Sequence, residues 1–482
     1  MSTPATPPPP GSSAAPASSG ASASGAPASG ATASGAPGSG QLARRLGLGD
    51  AVVIGLASMI GAGVFVALGA AQDLAGPAVL LAVGLAALVA FGNATSTAQL
   101  AAQYPTSGGT YFFGRQQLGP WWGFLAGWCF VIGKTASCAA MAMVVAAYLV
   151  PEGFQRPIAA AVVVLLTAVN LVGVTRTAGL ARILVTIALV ALALTAARLL
   201  VGVAAGDGGA AFGAPVPGPL AGRATGFWDG GLAALLGAGD GGALGTVLAI
   251  AQAAAVVFFA FAGYARVATL GEEVTAPRRS IPRAILLALG AVFALYIALA
   301  AVLVLVGPAP GEQGWGPAPF IAALDLVGAG AVWKLVVTVG AAAAAAGALL
   351  ALVAGVSRTM LGMAREGDLP RPLAHVSQRY SVPQRAEITV GIAVVLLVLL
   401  ASDVLVAITA SAFGVLLYYA VANIAAYTQT GEHRLFPKAL QVMGLIGCIL
   451  LVAALPGSTL VAGLALVAAG LVYRGIVLAS RR

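Results

Sequence analysis

The sequence predicts an all-α integral membrane protein of about twelve transmembrane helices, arranged as two five-helix inverted repeats followed by two C-terminal helices. Three observations predict it. Of 482 residues, 60% are hydrophobic and only 8% are charged, against about 25% charged in an ordinary soluble domain. Apolar runs of roughly 20 residues, each long enough to cross a bilayer, recur along the chain from about residue 50 to its end. Two of these runs, five spans apart, are interrupted mid-course by glycine, which is the mark of paired broken helices in inverted-repeat transporters.

The elements follow in order. Residues 1 to about 40 are nearly all Ala, Gly, Ser, Pro and Thr and have nothing to bury, so they read as a disordered tail. They lack a basic segment followed by an apolar one, and so do not read as a secretory signal. The spans are centred near residues 61, 89, 134, 165, 190, 258, 294, 346, 393, 415, 446 and 467. A core of ten helices is expected over 44–430, with repeats at about 48–204 and 246–430, and the last two helices over 431–482. Arg44, Arg45, Arg115, Arg278, Arg279, Arg283, Arg358, Arg365, Arg371, Arg481 and Arg482 all fall on one side of this threading. By the positive-inside rule that side is cytoplasmic, as are both termini. The formal charge of +9 is therefore topological and implies no nucleic-acid partner. The outer connections around 204–245 and 308–330 are rich in Gly and Pro and read as irregular caps over an entrance. Cys129, Cys138 and Cys448 lie in apolar runs, where small buried thiols are ordinary packing. His375 and His433 have no Cys or His partner at ligand spacing, so no metal or cofactor is expected.

The first span contains "GLASMIGAGVFVALG", residues 55–69. Small residues at helix contacts explain many membrane glycines, but Gly61 and Gly63 point to different faces, which suits an unwound stretch better than a packing stripe. A break here starts a half-helix near Val64 whose free N–H groups and positive dipole end form an anion site at mid-membrane. The matching sixth span reads "VVFFAFAGYARVATLGEEVTAPRRSIPRAI", with Gly263 at its middle.

Lys134 sits at the centre of the third span, about 20 Å along the helix from either end, beyond the reach of snorkelling. Lysine at that depth costs about 2.5–3.5 kcal/mol on insertion scales. Four readings stay open: a structural lysine bonded to backbone carbonyls, a stand-in for a coupling cation, a contact to an acidic substrate, and a pair with an unrecognised carboxylate. Arg266, three residues past Gly263, either reaches toward Glu272 or Glu273 or belongs to the site. Glu272 and Glu273 with Arg278, Arg279 and Arg283 read as an inner-gate ion network or as a solvated loop. Tyr418, Tyr419 and Asn423 read as pathway lining or as helix packing. A Ser137–Lys134 pair would suit a membrane hydrolase, but no further acid, base or metal ligand converges on it, so no enzyme is expected.

These segments resemble the amino acid-polyamine-organocation (APC) permeases, whose fold is of the leucine-transporter (LeuT) type. "IGLASMIGAGVF" resembles that family's first-helix signature, "AAQYPTSGGTY" its P-x-S-G-G-x-Y stretch, and "FFAFAGY" with "ATLGEEVTAPRRSIPRAI" its sixth helix and inner loop, closest to the cationic amino acid transporter-like branch. "SRTMLGMAREGDLPRPLAHVSQRYSVPQRA" resembles the segment after the eighth helix, and the likeness runs from about 44 to 430. The resemblance implies an amino acid at mid-membrane, near Ser58, with its carboxylate on the N–H groups of Gly61, Ala62 and Gly63. It implies an ammonium held by carbonyls near Ile60 and around Phe259, Ala260, Ala262 and Gly263, with Phe261 over the side chain or as a gate. Several proton-coupled relatives carry a lysine on the fifth helix. That position here is Ala188, which leaves Lys134 as the coupling candidate. Ala265 and Gln99 stand where relatives carry acids, so a neutral amino acid is favoured over a cationic one or a polyamine. The expectation is a secondary active plasma-membrane permease with protons as the candidate coupling ion. The alternatives are a channel and an amino acid sensor that transports nothing.

Overall fold

The computed structural model describes residues 46–106, 108–151, 153–172, 175–207, 243–271, 273–308, 314–377, 379–380 and 382–481. Helices α1 (Leu48–Met59) and α2 (Ala62–Ala75) form a first span broken at Ile60 and Gly61. After a 3-10 turn come α3 (Val79–Gln103), a short α4 (Gly109–Leu118), α5 (Pro120–Leu149), α6 (Gln155–Leu171) and α7 (Thr175–Ala204). The second half brings α8 (Ala243–Phe261), α9 (Ala265–Ala268), α10 (Pro277–Val306), α11 (Pro319–Leu326), α12 (Ala331–Arg365), α13 (Gln384–Leu400) and α14 (Val404–Tyr427). Helices α15 (Lys438–Ala453) and α16 (Gly457–Ala479) complete the chain.

Local chemistry sets several boundaries. Proline opens α5, α10 and α11, at the one helical position where its missing N–H costs nothing. The Asp403 carboxylate caps α14 by accepting from the N–H groups of Leu405 and Val406, satisfying donors the helix cannot. Eight described helical segments are long and apolar enough to cross a membrane. With the broken spans α1–α2 and α8–α9 each counted once, the helices in chain order account for the twelve expected centres. Helices α4 and α11 are additions that no span pattern signalled. The 308–330 connection is thus not wholly irregular, since α11 packs on α2, α7 and α12. Most of the connection around 204–245 lies outside the described residues.

Two groups of helices position the site. Helices α1, α2, α3, α8 and α10 pack on one another, and so do α5, α6, α12 and α13, while α14 bridges them through α3 and α5. The breaks of α1–α2 and α8–α9 lie where the groups meet. Leucine, valine and isoleucine side chains such as Leu81, Leu165, Leu335, Leu400 and Val461 point outward, which in water would be a liability and in lipid is the required surface. The arginine-rich face carries both ends of the described chain, Leu46 and Arg481. There Leu46 pairs in parallel with Val274 through the bonds Leu46 N to Glu273 O (3.0 Å) and Thr275 N to Leu46 O (2.9 Å).

Candidate substrate site

The first break is two residues long. Ile60 leaves the helical region (φ −82°, ψ 78°), Gly61 is extended (φ −121°, ψ −151°), and α2 restarts at Ala62, two residues before the expected Val64. The second break is a turn over Ala262, Gly263 and Tyr264, followed by the single turn of α9. The breaks cross backbone against backbone. A Cβ at Gly263 would overlap the carbonyl of Ser58, and one at Gly63 would stand 2.7 Å from Ala260 Cα. No other residue permits that approach.

Breaking two helices frees carbonyls and N–H groups that need partners in a dry interior. Tyr296 of α10 supplies one answer: its hydroxyl donates to Met59 O (2.7 Å) and Ala260 O (3.2 Å), pinning the two breaks together. Ala262 O, at the negative end of α8, accepts from Lys134 Nζ (2.9 Å) and from the Tyr419 hydroxyl (3.2 Å). Lys134 is 6% exposed. Its partner is a backbone carbonyl, and no carboxylate among the described residues forms an ion pair with it. At the positive end of α2, the Ala62 N–H points at the Met141 thioether (3.2 Å), a weak acceptor. The crossing thus offers an anion-seeking helix start and a cation-holding helix end, both buried and each touched by a side chain of α5.

The remaining expected residues fall around this centre. Ile60, Gly61, Ala62, Gly63, Phe259, Ala260 and Ala262 are buried at the crossing. Ser58 spends its hydroxyl on Ile54 O within α1 (2.8 Å). Phe261 is buried against the Tyr296 ring, centroids 5.0 Å apart. Tyr419 stacks on Tyr264 at 4.9 Å, whereas Asn423 bonds Ser96 and Asn93 and serves the α3–α14 contact. Ser137 meets Ser411 Oγ (2.6 Å), and Lys134 is turned elsewhere. On the far side from the arginines, Phe65 sits edge-on to Tyr148 and Phe320, and the Tyr148 hydroxyl donates to Phe65 O (2.9 Å), closing that approach.

Of the residues expected at the inner gate, Arg266 and Glu273 are described. Arg266 donates to Thr269 Oγ1 (3.1 Å), Glu273 forms no ion pair among the described residues, and Glu272 lies outside them. An ion network on the arginine-rich face centres on Asp368. Asp368, just past α12, accepts from Arg474 (2.6 Å), Tyr111 (2.9 Å) and Arg115 (3.4 Å), and Arg115 also meets Glu366 (2.9 Å). Burial, then the Asp368 carboxylate, push the Tyr111 phenol up, so it remains a donor at any working pH.

The amino acid permease family profile matches residues 50–472. The chain belongs to this family. The permease is 48% identical to an uncharacterized transporter of Mycobacterium tuberculosis over 437 residues, 90% of this chain and 92% of that one. It is 26% identical to the branched-chain amino acid permease of Bacillus subtilis, covering 71% of each. It is 27% identical to the vacuolar cationic amino acid transporter 4 of Arabidopsis thaliana, covering 73% of this chain and 58% of that one. It is a multi-pass membrane transporter of amino acids. Tyr296 and Met141 were not singled out from the sequence of this permease. A tyrosine within "FALYIAL" was the available signal for the first, because a hydroxyl amid apolar residues needs a partner, while the methionine gave none.

Proposed function

We propose that the protein is a secondary active permease of the plasma membrane that carries a neutral amino acid by alternating access, with both termini cytoplasmic. The repeats are taken as 48–204 and 246–430. One observation carries the reading: the start of α2 and the end of α8 present opposite helix ends to one buried site, and each is held by a side-chain stand-in. A zwitterion matches both ends. Its carboxylate takes the Ala62 N–H from the Met141 thioether and draws on the neighbouring N–H groups of Gly61 and Gly63, and its ammonium takes the Ala262 carbonyl from Lys134.

Lys134 then acts as the coupling group, since its ammonium and the substrate's seek the same carbonyl. The sign follows: deprotonation at higher pH relieves the competition, so amino acid binding strengthens on the alkaline side. A neutral side chain is favoured because no described carboxylate faces the site, and Lys134 with Arg266 would repel a cation. The branched-chain substrate in the name of the Bacillus relative agrees with this. The names of the plant and human cationic transporters favour the second reading, a cationic amino acid or polyamine.

A thermal-shift screen of the purified protein against the twenty amino acids, several polyamines and sodium, followed by counterflow in proteoliposomes, tests the proposal, because a ligand of the folded state raises its melting temperature. Stabilisation and counterflow by neutral amino acids support it. Response to arginine, lysine or polyamines alone replaces it with the second reading, and binding without flux makes the protein a sensor.

A further inference from the structure

Glu387 lies on the first turn of α13 and is 1% exposed. Neither of its carboxylate oxygens is hydrogen-bonded in the geometry described, with the Ser357 hydroxyl the one donor near enough to turn toward it. An ionised carboxylate buried with at most one hydroxyl to bond it costs several kcal/mol or more, which favours an occupant that neutralises it.

Its surroundings say which. Helices α6 and α13 run antiparallel and meet at Thr167 and Gly391, where a Cβ on Gly391 would stand 3.0 Å from Thr167 Oγ1. One turn further toward the arginine-rich face, the same register sets Asn170 opposite Glu387. Ala159, Val163, Thr167 and Asn170 form the buried stripe of α6, and Glu387, Gly391, Val394 and Val398 that of α13. Two more oxygens on this seam are buried and unpartnered, Thr167 Oγ1 and Asn170 Oδ1. The Asn170 amide is fixed the right way round for an acceptor, since its Nδ2 donates to Leu350 O (2.9 Å). The Ser357 hydroxyl of α12 is within hydrogen-bonding reach of Glu387, and its one hydrogen is shared with Ala354 O (3.1 Å). With one hydrogen on Thr167 and one on Ser357, the seam holds more acceptor oxygens than donor hydrogens.

We propose that the α6–α12–α13 seam is a proton-binding site in which Glu387 takes up a proton and presents the resulting O–H to the unpartnered acceptors beside it, Asn170 Oδ1 foremost. The site is separate from the crossing of the two breaks and does not depend on what is carried there. The charged group facing it is Arg358 of α12. Helix α6 brings Thr167 and Asn170, while α5 and the 3-10 turn at Arg371–Ala374 also pack on α13 without bringing a charge to bear on Glu387. Arg358 also faces Arg266, which Glu273 faces in turn.

Infrared difference spectroscopy on the purified full-length chain tests this, because the C=O stretch of a protonated carboxyl is resolved from that of a carboxylate. The expected result is a carboxyl band that titrates in the wild type, is absent from Glu387→Gln and persists in Lys134→Met. Asn170→Leu, which keeps the carboxyl but removes its acceptor, should weaken proton binding about five- to tenfold, the worth of one hydrogen bond. This variant carries the test if Glu387→Gln fails to fold. A band unchanged in Glu387→Gln, or no titrating band in the wild type, overturns the proposal. Loss of the band on adding sodium at fixed pH overturns it in favour of a metal-cation site. None of these readings requires transport, so a failure of the permease assignment would be seen separately, as absent counterflow.

Discussion

Replacing Lys134 by methionine separates a structural lysine from a coupling one, because the two roles predict different magnitudes. The substitution keeps the length of the side chain and removes its charge. On the stability side two terms oppose. The ammonium makes a charge-assisted bond of 2.9 Å to Ala262 O, worth about 1.5–3 kcal/mol. Placing lysine at mid-membrane costs about 2.5–3.5 kcal/mol on insertion scales, and methionine escapes that cost. The difference lies within about 1–2 kcal/mol of zero, and Tyr419 still donates to the freed carbonyl (3.2 Å), so the variant should fold with a melting temperature changed by a few degrees. Its binding should change more. With Ala262 O relieved of its ammonium, the substrate's own ammonium has no competitor, and affinity measured by thermal shift or isotope binding should lose its rise on the alkaline side. A variant that unfolds readily yet keeps the wild-type alkaline limb would refute the reasoning and return Lys134 to a structural role.

Three further outcomes are expected. Gly263→Ala places a methyl into the Ser58 carbonyl, an overpacking worth about 1–3 kcal/mol or more; a lowered melting temperature with abolished ligand stabilisation is the result to look for, and unaltered binding would remove the crossing from the site. Tyr296→Phe takes the donor from Met59 O and Ala260 O at about 1–3 kcal/mol. It should speed maleimide labelling of Cys138, which is buried one turn from Lys134, in a background where Cys129 and Cys448 are replaced. Asp368→Asn leaves Arg474, 4% exposed at its side chain, without its carboxylate. Losing one partner of a buried pair costs about 3–5 kcal/mol, and limited proteolysis should then cut within or before α16 while the rest of the chain resists.

What the sequence alone decided concerns short-range pattern. Bilayer-length apolar runs require spans, because lipid offers no partner to free backbone groups, and the composition of this chain leaves no soluble alternative. The two interruptions at Gly61 and Gly263 were legible for the same reason, since glycine amid leucine and valine marks a place where backbone must bend or approach closely. The four motifs in order carried the family. The tertiary structure decided everything that joins distant positions: Lys134 to Ala262, 128 residues apart, Tyr296 to Met59, 237 apart, and Asp368 to Arg474, 106 apart. It built a buried ion network around Asp368 past the end of α12, and it exposed Glu387, whose sequence neighbours, "PQRAEITV", read as an ordinary charged helix start. Periodicity reports which face of a helix is buried. Which atom meets a buried charge depends on how the helices are docked, and that is fixed by packing between segments hundreds of residues apart.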